Sequence, residues 1–262
     1  MAETNFITVL VNQGDEMAEQ NNYDGAIVKY HRAIRMEPQN SDIRKKLIDV
    51  CKRKNSYREA ISEYINWAEV CKKVGNYEQA IDVFQECLDI GNPGSERLST
   101  QSQTAKINET LEACGGEIYW KLGLLYLTKN DLKDAETAFR ESLKRKPSNT
   151  SEIHKQLGVI YTRQGRLHDA IVEYNVVLDL VPEDISVCEQ IGELYYSKQE
   201  EINAIQWFTY AGDLYFQKND LIEAGRVYKN ILKFDPENAD ILAKLRNIYP
   251  DEGLLEKNEG NS

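Results

Sequence analysis

The sequence is poor in the residue patterns from which catalytic and metal centres are built. Only three histidines occur in 262 residues, and none lies at ligand spacing from a cysteine. No G-x-S-x-G, Gly-rich phosphate loop or H-E-x-x-H motif is present. The many carboxylates are spread along a chain that is 29% charged, which is typical of solvated helix faces. We therefore expect no enzyme, no cofactor and no metal site.

The chain also lacks paired cysteines and long apolar runs. Its five cysteines are widely spaced and form no C-x-x-C pair, which favours reduced thiols in a cytoplasm-like compartment. The first residues have no basic region followed by an apolar stretch, and no later run could cross a bilayer. We expect a cytoplasmic protein with no signal peptide and no membrane insertion.

Acidic residues outnumber basic ones by 43 to 32, which gives a net charge of −11. Such a surface repels phosphate backbones, so we expect no nucleic-acid partner. The charge serves solubility in the simplest interpretation. A protein partner with a basic docking segment is the alternative.

What the sequence has is an internal repeat. Two segments of 34 residues, one from Gly116 and one from Ser151, can be stacked on each other. They share L-G-x-x-Y, then an alanine, an aromatic residue and a proline at equal distances. The shared places are Leu122, Gly123, Tyr126, Ala135, Phe139 and Pro147 in the first segment, and Leu157, Gly158, Tyr161, Ala170, Tyr174 and Pro182 in the second.

The spacing of these places indicates two paired helices. Apolar residues three and four apart mark one helix face, small Gly and Ala let helices approach closely, and Pro follows the end of a helix. The pattern closely resembles the tetratricopeptide repeat family. That resemblance implies an all-α, right-handed superhelical solenoid of helix-turn-helix repeats, which binds other proteins in a concave groove lined by the first helices.

Further copies begin at residues 7, 41, 61, 185 and 205. Ala60 and Ala80 are only 20 residues apart, as are Ala204 and Ala224, so one helix must serve two consecutive copies. We expect long helices near 57–73 and 201–217. The predicted organisation is three N-terminal copies (7–94), an insert (95–115), four C-terminal copies (116–238), a capping helix (239–250) and a disordered tail (251–262).

The two shared helices lie 144 residues apart, and the copies at 7, 41 and 61 match those at 151, 185 and 205 without a gap. We interpret this spacing as an old duplication; two independent compressions are the alternative. The match suggests that the insert also contains a helix, within 95–113, which the Gly115–Gly116 pair then breaks.

The family's binding groove predicts which residues contact a partner. We expect the partner site to include Trp120, Leu124, Leu127, Lys155, Val159, Arg163, Tyr196 and Phe216. The helix from residue 116 is apolar nearly all round, so it requires a second buried surface. Either a partner or the segment 95–113, acting as a lid, covers Trp120.

The predicted function is a protein–protein interaction scaffold, adaptor or assembly factor that binds an extended or helical partner segment. A self-associating structural protein that uses the apolar patch near Trp120 is the alternative. One sub-class of the family clamps acidic chaperone tails, but two of its first binding places are Val11 and Asp15 here, so we do not expect that clamp.

Overall fold

The computed structural model describes residues 2–90 and 101–250, with side chains from residue 6 and, after the gap, from residue 105. These residues form thirteen α-helices and no strand. The helices are α1 (Ala2–Glu19), α2 (Tyr23–Met36), α3 (Ser41–Arg53), α4 (Tyr57–Lys73), α5 (Tyr77–Asp89), α6 (Gln101–Thr128), α7 (Leu132–Lys144), α8 (Thr150–Arg163), α9 (Leu167–Leu180), α10 (Ile185–Ser197), α11 (Glu201–Gln217), α12 (Leu221–Ile231) and α13 (Ala239–Ile248). The predicted tail 251–262 and residues 95–100 of the predicted insert lie outside the described residues.

The chain divides into two compact units. The first unit, residues 1–148, contains α1–α7, and the second unit, residues 149–262, contains α8–α13. In each unit, helices that follow one another in the chain pack side by side. None of the described helices is both long and apolar enough to cross a membrane.

Short turns join the helices of each pair. The residue at the tightest point has positive φ at Asn21, Asn55, Gly75, Asn130, Gly165, Gln199 and Asn219. An Asn or Asp side chain then often accepts the N–H three residues later, as Asn76 does from Gln79 at 3.2 Å. The cap satisfies an N–H that the first helical turn leaves unpaired, and Asn tolerates the left-handed conformation better than most residues. The turn chemistry therefore fixes where each helix begins and ends.

Close contact between a glycine of the first helix and an aromatic ring of the second recurs in five helix pairs, at Gly14, Gly123, Gly158, Gly192 and Gly212. A Cβ added at Gly123 would lie 2.6 Å from the ring of Phe139, and one at Gly158 would lie 2.5 Å from the ring of Tyr174. Both rings are fully buried. The prediction that small residues let the paired helices approach closely is confirmed at these places.

The two long shared helices are present. α4 and α11 each have 17 residues, with the bounds expected from the sequence. Each packs on the helix before it and on the helix after it. Ala60, Ala80, Ala204 and Ala224, the places that defined the short spacing, are all fully buried.

The helix bounds recur with a spacing of 144 residues. α3 and α10 begin at Ser41 and Ile185, and α4 and α11 begin at Tyr57 and Glu201. The positive-φ residues Asn21, Asn55 and Gly75 recur in the same way as Gly165, Gln199 and Asn219. This regularity agrees with a duplication, although the origin of the spacing stays a prediction.

The break expected at Gly115–Gly116 is wrong. α6 runs through both glycines without interruption and has 28 residues. Each glycine costs a helix only about 1 kcal/mol relative to Ala, whereas Ile107 before the pair and Ile118 after it are both completely buried. Since residues 101–113 continue into the same helix as Trp120, they cannot fold over that side chain as a lid.

The cysteines are packing residues. All five are free thiols, and Cys51, Cys71 and Cys87 are buried, as expected from their repeat places. Burial raises the pKa of the Cys51 and Cys87 thiols to about 12. They therefore remain protonated and unreactive at neutral pH.

Two glycines of the same helix α6 test this packing. Gly123→Ala should lower the free energy of unfolding by about 1–3 kcal/mol, because its methyl group would overlap the buried Phe139 ring. At Gly116 the nearest atoms to a new Cβ are 3.5 Å away, so Gly116→Ala should raise stability by up to about 1 kcal/mol. Urea unfolding of both variants measures the two changes, and a loss at Gly116 equal to that at Gly123 would contradict the packing scheme.

Candidate functional site

The predicted partner site begins on α6, in the first unit. Ile118, Leu122 and Leu125 lie on the face of α6 that is buried in the core. Trp120, Leu124 and Leu127 lie on the opposite face and are each half-buried. α6 therefore has apolar side chains on two opposite faces.

Trp120 has an internal partner. Its ring lies 5.3 Å from that of Phe139 on α7, measured between centroids, at an angle of 46°. This arrangement is a favourable tilted aromatic contact. Trp120 therefore belongs partly to the packing of α6 on α7.

Ion pairs join successive first helices in the first unit. Lys46 of α3 reaches Asp15 of α1 at 2.6 Å, and Asp15 also accepts a hydrogen bond from Tyr30 of α2. Lys121 of α6 reaches Glu69 of α4 at 2.6 Å. Burial raises the pKa of the Glu69 carboxyl, but the hydrogen bond from Lys121 and the charges of nearby lysines together outweigh it, and the net pKa is lowered. These charges stabilise packing and are not free for a ligand.

The same arrangement recurs in the second unit. Asp213 of α11 accepts hydrogen bonds from Tyr228 of α12 and from Lys244 of α13. Burial and the bond to Asp213 both raise the pKa of the Tyr228 hydroxyl. These groups were not among the residues predicted from the sequence. The signal was available, because Lys46 follows Asp15 by the same 31 residues as Lys244 follows Asp213.

Lys155, Val159 and Arg163 all lie on α8. The Lys155 ammonium group is 2.8 Å from Asp184, the residue that caps α10. Burial raises the pKa of the Asp184 carboxyl, but hydrogen bonds from Lys155 and Ser186 bring it below its usual value. The Lys155–Asp184 ion pair therefore links α8 to the start of α10. Val159 is half-buried and Arg163 is exposed.

Tyr196 and Phe216 are exposed, by 51% and 41%, but they do not lie side by side. Tyr196 is near the end of α10, and a three-residue turn leads into the antiparallel α11. Phe216 is near the far end of α11, roughly 22 Å along the helix axis from its start. The Tyr196 ring also packs on Phe234, with 5.1 Å between centroids. Tyr196 and Phe216, two of the eight predicted residues, are thus not neighbours.

Tyr174 departs from the pattern of paired tyrosines. In its copy Val159 stands where Asp15 and Asp213 stand in the copies of Tyr30 and Tyr228. The buried Tyr174 hydroxyl has no hydrogen-bond partner. The nearby Thr162 hydroxyl donates to the Gly158 carbonyl at 2.8 Å. An unpaired hydroxyl in the core is a cost to stability.

The histidines do not form a reactive centre. His154 lies 2.6 Å from Glu173, and His31 lies 3.9 Å from Glu63. Over residues 2–90 and 101–250, no group of three or more His, Cys, Asp and Glu side chains could hold a metal ion.

Helix hairpins with this turn, glycine and ring pattern define a helical repeat protein. A family model described as tetratricopeptide repeat matches residues 11–71 and 117–185, and a second tetratricopeptide repeat model matches residues 63–98. The chain belongs to the tetratricopeptide repeat family. The predicted family and the predicted all-α, tetratricopeptide-type solenoid class are confirmed. Proteins of this family are typically non-enzymatic interaction scaffolds, and the chain is a scaffold of that class.

Similar solved structures have low sequence identity. The crystal structure of MamA protein is 18% identical over 84% of this chain and 96% of that one, with a TM-score of 0.48. YrrB, described as a TPR protein with an unusual peptide-binding site, is 18% identical over 72% and 87%, with a TM-score of 0.49. The TPR2AB domain of yeast Sti1 in complex with pHSP90 is 16% identical over 88% and 98%, with a TM-score of 0.39. No curated protein sequence matches the chain.

Two tyrosines of the second unit test the pairing with acidic groups. Tyr228→Phe removes a hydrogen bond to Asp213 and should lower the free energy of unfolding by about 1–2 kcal/mol. Tyr174→Phe removes a hydroxyl that has no partner and should leave stability unchanged or slightly raised. Thermal unfolding followed by circular dichroism compares the two. An equal loss in both variants would show that the Tyr174 hydroxyl is paired in solution.

Proposed function

We propose that this protein is an adaptor that holds a segment of a partner protein on the α6 patch, formed by Trp120, Leu124 and Leu127. The observation that supports the proposal is the surplus of large apolar side chains on α6. Buried Ile118, Leu122 and Leu125 already fill its packing places, yet the opposite face carries three more apolar residues that remain partly exposed. A helix with two apolar faces requires a second cover.

The charges around the α6 patch favour a partner segment that mixes aliphatic and acidic residues. Lys129, directly after α6, pairs with Glu78 at the start of α5, so α6 and α4 end on the same side of the first unit. α4 ends there in Lys72 and Lys73, which are both exposed. Acidic side chains next to an aliphatic anchor would approach these lysines while the anchor contacts Leu127.

A second candidate function is self-association through the same patch. An apolar face that is half-exposed could be covered by another copy of the chain. The two functions differ in their concentration dependence. Sedimentation equilibrium of the purified chain should show a monomer under the adaptor proposal, whereas a dimer that Leu124→Ala dissolves would support self-association. A cytoplasmic location stays a prediction under both.

The binding prediction uses two matched leucines. A photo-crosslinking amino acid in place of Leu127 identifies the partner peptide, which is then synthesised and titrated. Leu124→Ala should weaken its binding about tenfold, because a central apolar contact of this kind often contributes 1–2 kcal/mol or more. Leu180→Ala, an exposed leucine on α9, is the control and should leave binding unchanged. Equal weakening by both, or by neither, would refute the α6 patch as the site.

A further inference from the structure

α6, in the first unit, is longer at its N-terminus than α13, its counterpart in the second unit. In α6 the buried core triplet is Ile118, Leu122 and Leu125, and in α13 it is Ile241, Leu245 and Ile248. The pairing of Lys121 with Glu69 likewise matches that of Lys244 with Asp213. Ala239, where α13 begins, therefore corresponds to Gly116. Residues 101–115, which we name the α6 extension, have no counterpart in α13.

The α6 extension lies along the N-terminal half of α4. Its Lys106 ammonium group donates to the Asn55 carbonyl at 3.3 Å, just before α4 begins. Ile107 is completely buried, and Leu111 and Cys114, on the same helix face, are half-buried. A cleft of about 420 Å³ separates the two helices further along, and the α4 residues that line it are Arg58, Ile61, Ser62 and Ile65.

The matching surface on α11 is formed 144 residues later by Ile202, Ile205, Gln206 and Thr209, which we name the α11 face. Ile61 on α4 is only 2% exposed, whereas Ile205 is partly exposed and Ile202 is 74% exposed. Residues 232–238 lead directly from α12 to α13, and their Phe234 packs on Phe208 and Tyr196. Within residues 149–250 of the second unit, no helix takes the place that the α6 extension has in the first.

We propose that the α11 face is a docking site for an amphipathic helix of a partner protein, which takes the place that the α6 extension occupies on α4. The long shared helix needs a long cover in both units, and within residues 2–90 and 101–250 only the first unit supplies its own. The α6 extension is a template for the partner helix, because it packs on α4, which is equivalent to α11. The site lies in the second unit and does not depend on the α6 patch.

The template defines the chemistry of the occupant. Its aliphatic row follows the spacing of Ile107, Leu111 and Cys114, one residue in every turn of a helix face. A basic residue directly before the first aliphatic one would donate to the carbonyl of Gln199, the counterpart of Asn55 with the same φ of 61°. Glu201, which is exposed and lies two residues after that carbonyl, favours a basic group there.

The experiment is a methyl-NMR titration of the full chain, labelled at isoleucine δ1, with the synthetic peptide of residues 101–115 carrying Cys114→Ala. The methyl signals of Ile202 and Ile205 should shift and saturate, while that of Ile61, already covered, should stay in place. Ile202→Glu should weaken binding about fivefold or more, because it puts a charge on the apolar contact. Ile222→Glu, at an equally exposed isoleucine of α12, is the matched control and should bind normally.

Four results would overturn the proposal. These are the absence of saturable shifts at Ile202 and Ile205, shifts at Ile61 alone, equal weakening by the two glutamate variants, and equal binding of a control peptide with Ile107→Asp and Leu111→Asp. A chain ending at Pro250 tests the protein's own C-terminal residues as the occupant, and changed Ile202 and Ile205 signals in that variant would also refute a partner helix. Leu124→Ala should bind the peptide normally, so failure at the α6 patch and failure here are distinguishable.

Discussion

The structure depends on one recurring contact, in which an aromatic ring of the second helix packs against a residue of the first helix, most often a glycine. Where that residue is glycine, as at Gly123 and Gly158, the ring occupies the space that a Cβ would need. The contact sets the distance between the paired helices, and that distance decides which side chains meet the next pair. The ladder of lysine–carboxylate pairs, such as Lys46 with Asp15, forms only because successive first helices are held at this spacing.

A second consequence follows from the two helices that each serve two pairs. α4 and α11 are ring-bearing second helices over their first half and first helices over their second half. A first helix of ordinary length, such as α13, begins beside the middle of the long helix. It therefore covers only the C-terminal half of that helix. α6 covers α4 further through the α6 extension, whereas α13 starts at Ala239 and leaves the α11 face without an equivalent cover within the described part of the second unit. This difference in cover distinguishes α3–α5 from α10–α12, which otherwise match.

Much of this fold could be predicted from the sequence, because the repeat places report on local contacts. The short spacing from Ala60 to Ala80 correctly predicted the long helix α4. The break at Gly115–Gly116 could not be judged locally, since buried Ile107 and Ile118 on either side outweigh the cost of two glycines. The predicted site stays a prediction, and its internal contacts could not be derived from the sequence for a similar reason. Periodicity identifies the face on which Trp120, Lys155 and Tyr196 lie, but it does not reveal that Phe139, Asp184 and Phe234 already contact them.

The central claim is that equivalent faces of α4 and α11 differ in cover, and hydroxyl-radical footprinting of the isolated protein measures this difference directly. Radicals oxidise side chains in proportion to their contact with water, so matched isoleucines can be compared within one sample. The account predicts rapid oxidation of Ile202, measurable oxidation of Ile205 and almost none of Ile61. Equal oxidation of Ile205 and Ile61 would contradict it, because the α6 extension would then make no difference to the long helix on which it lies.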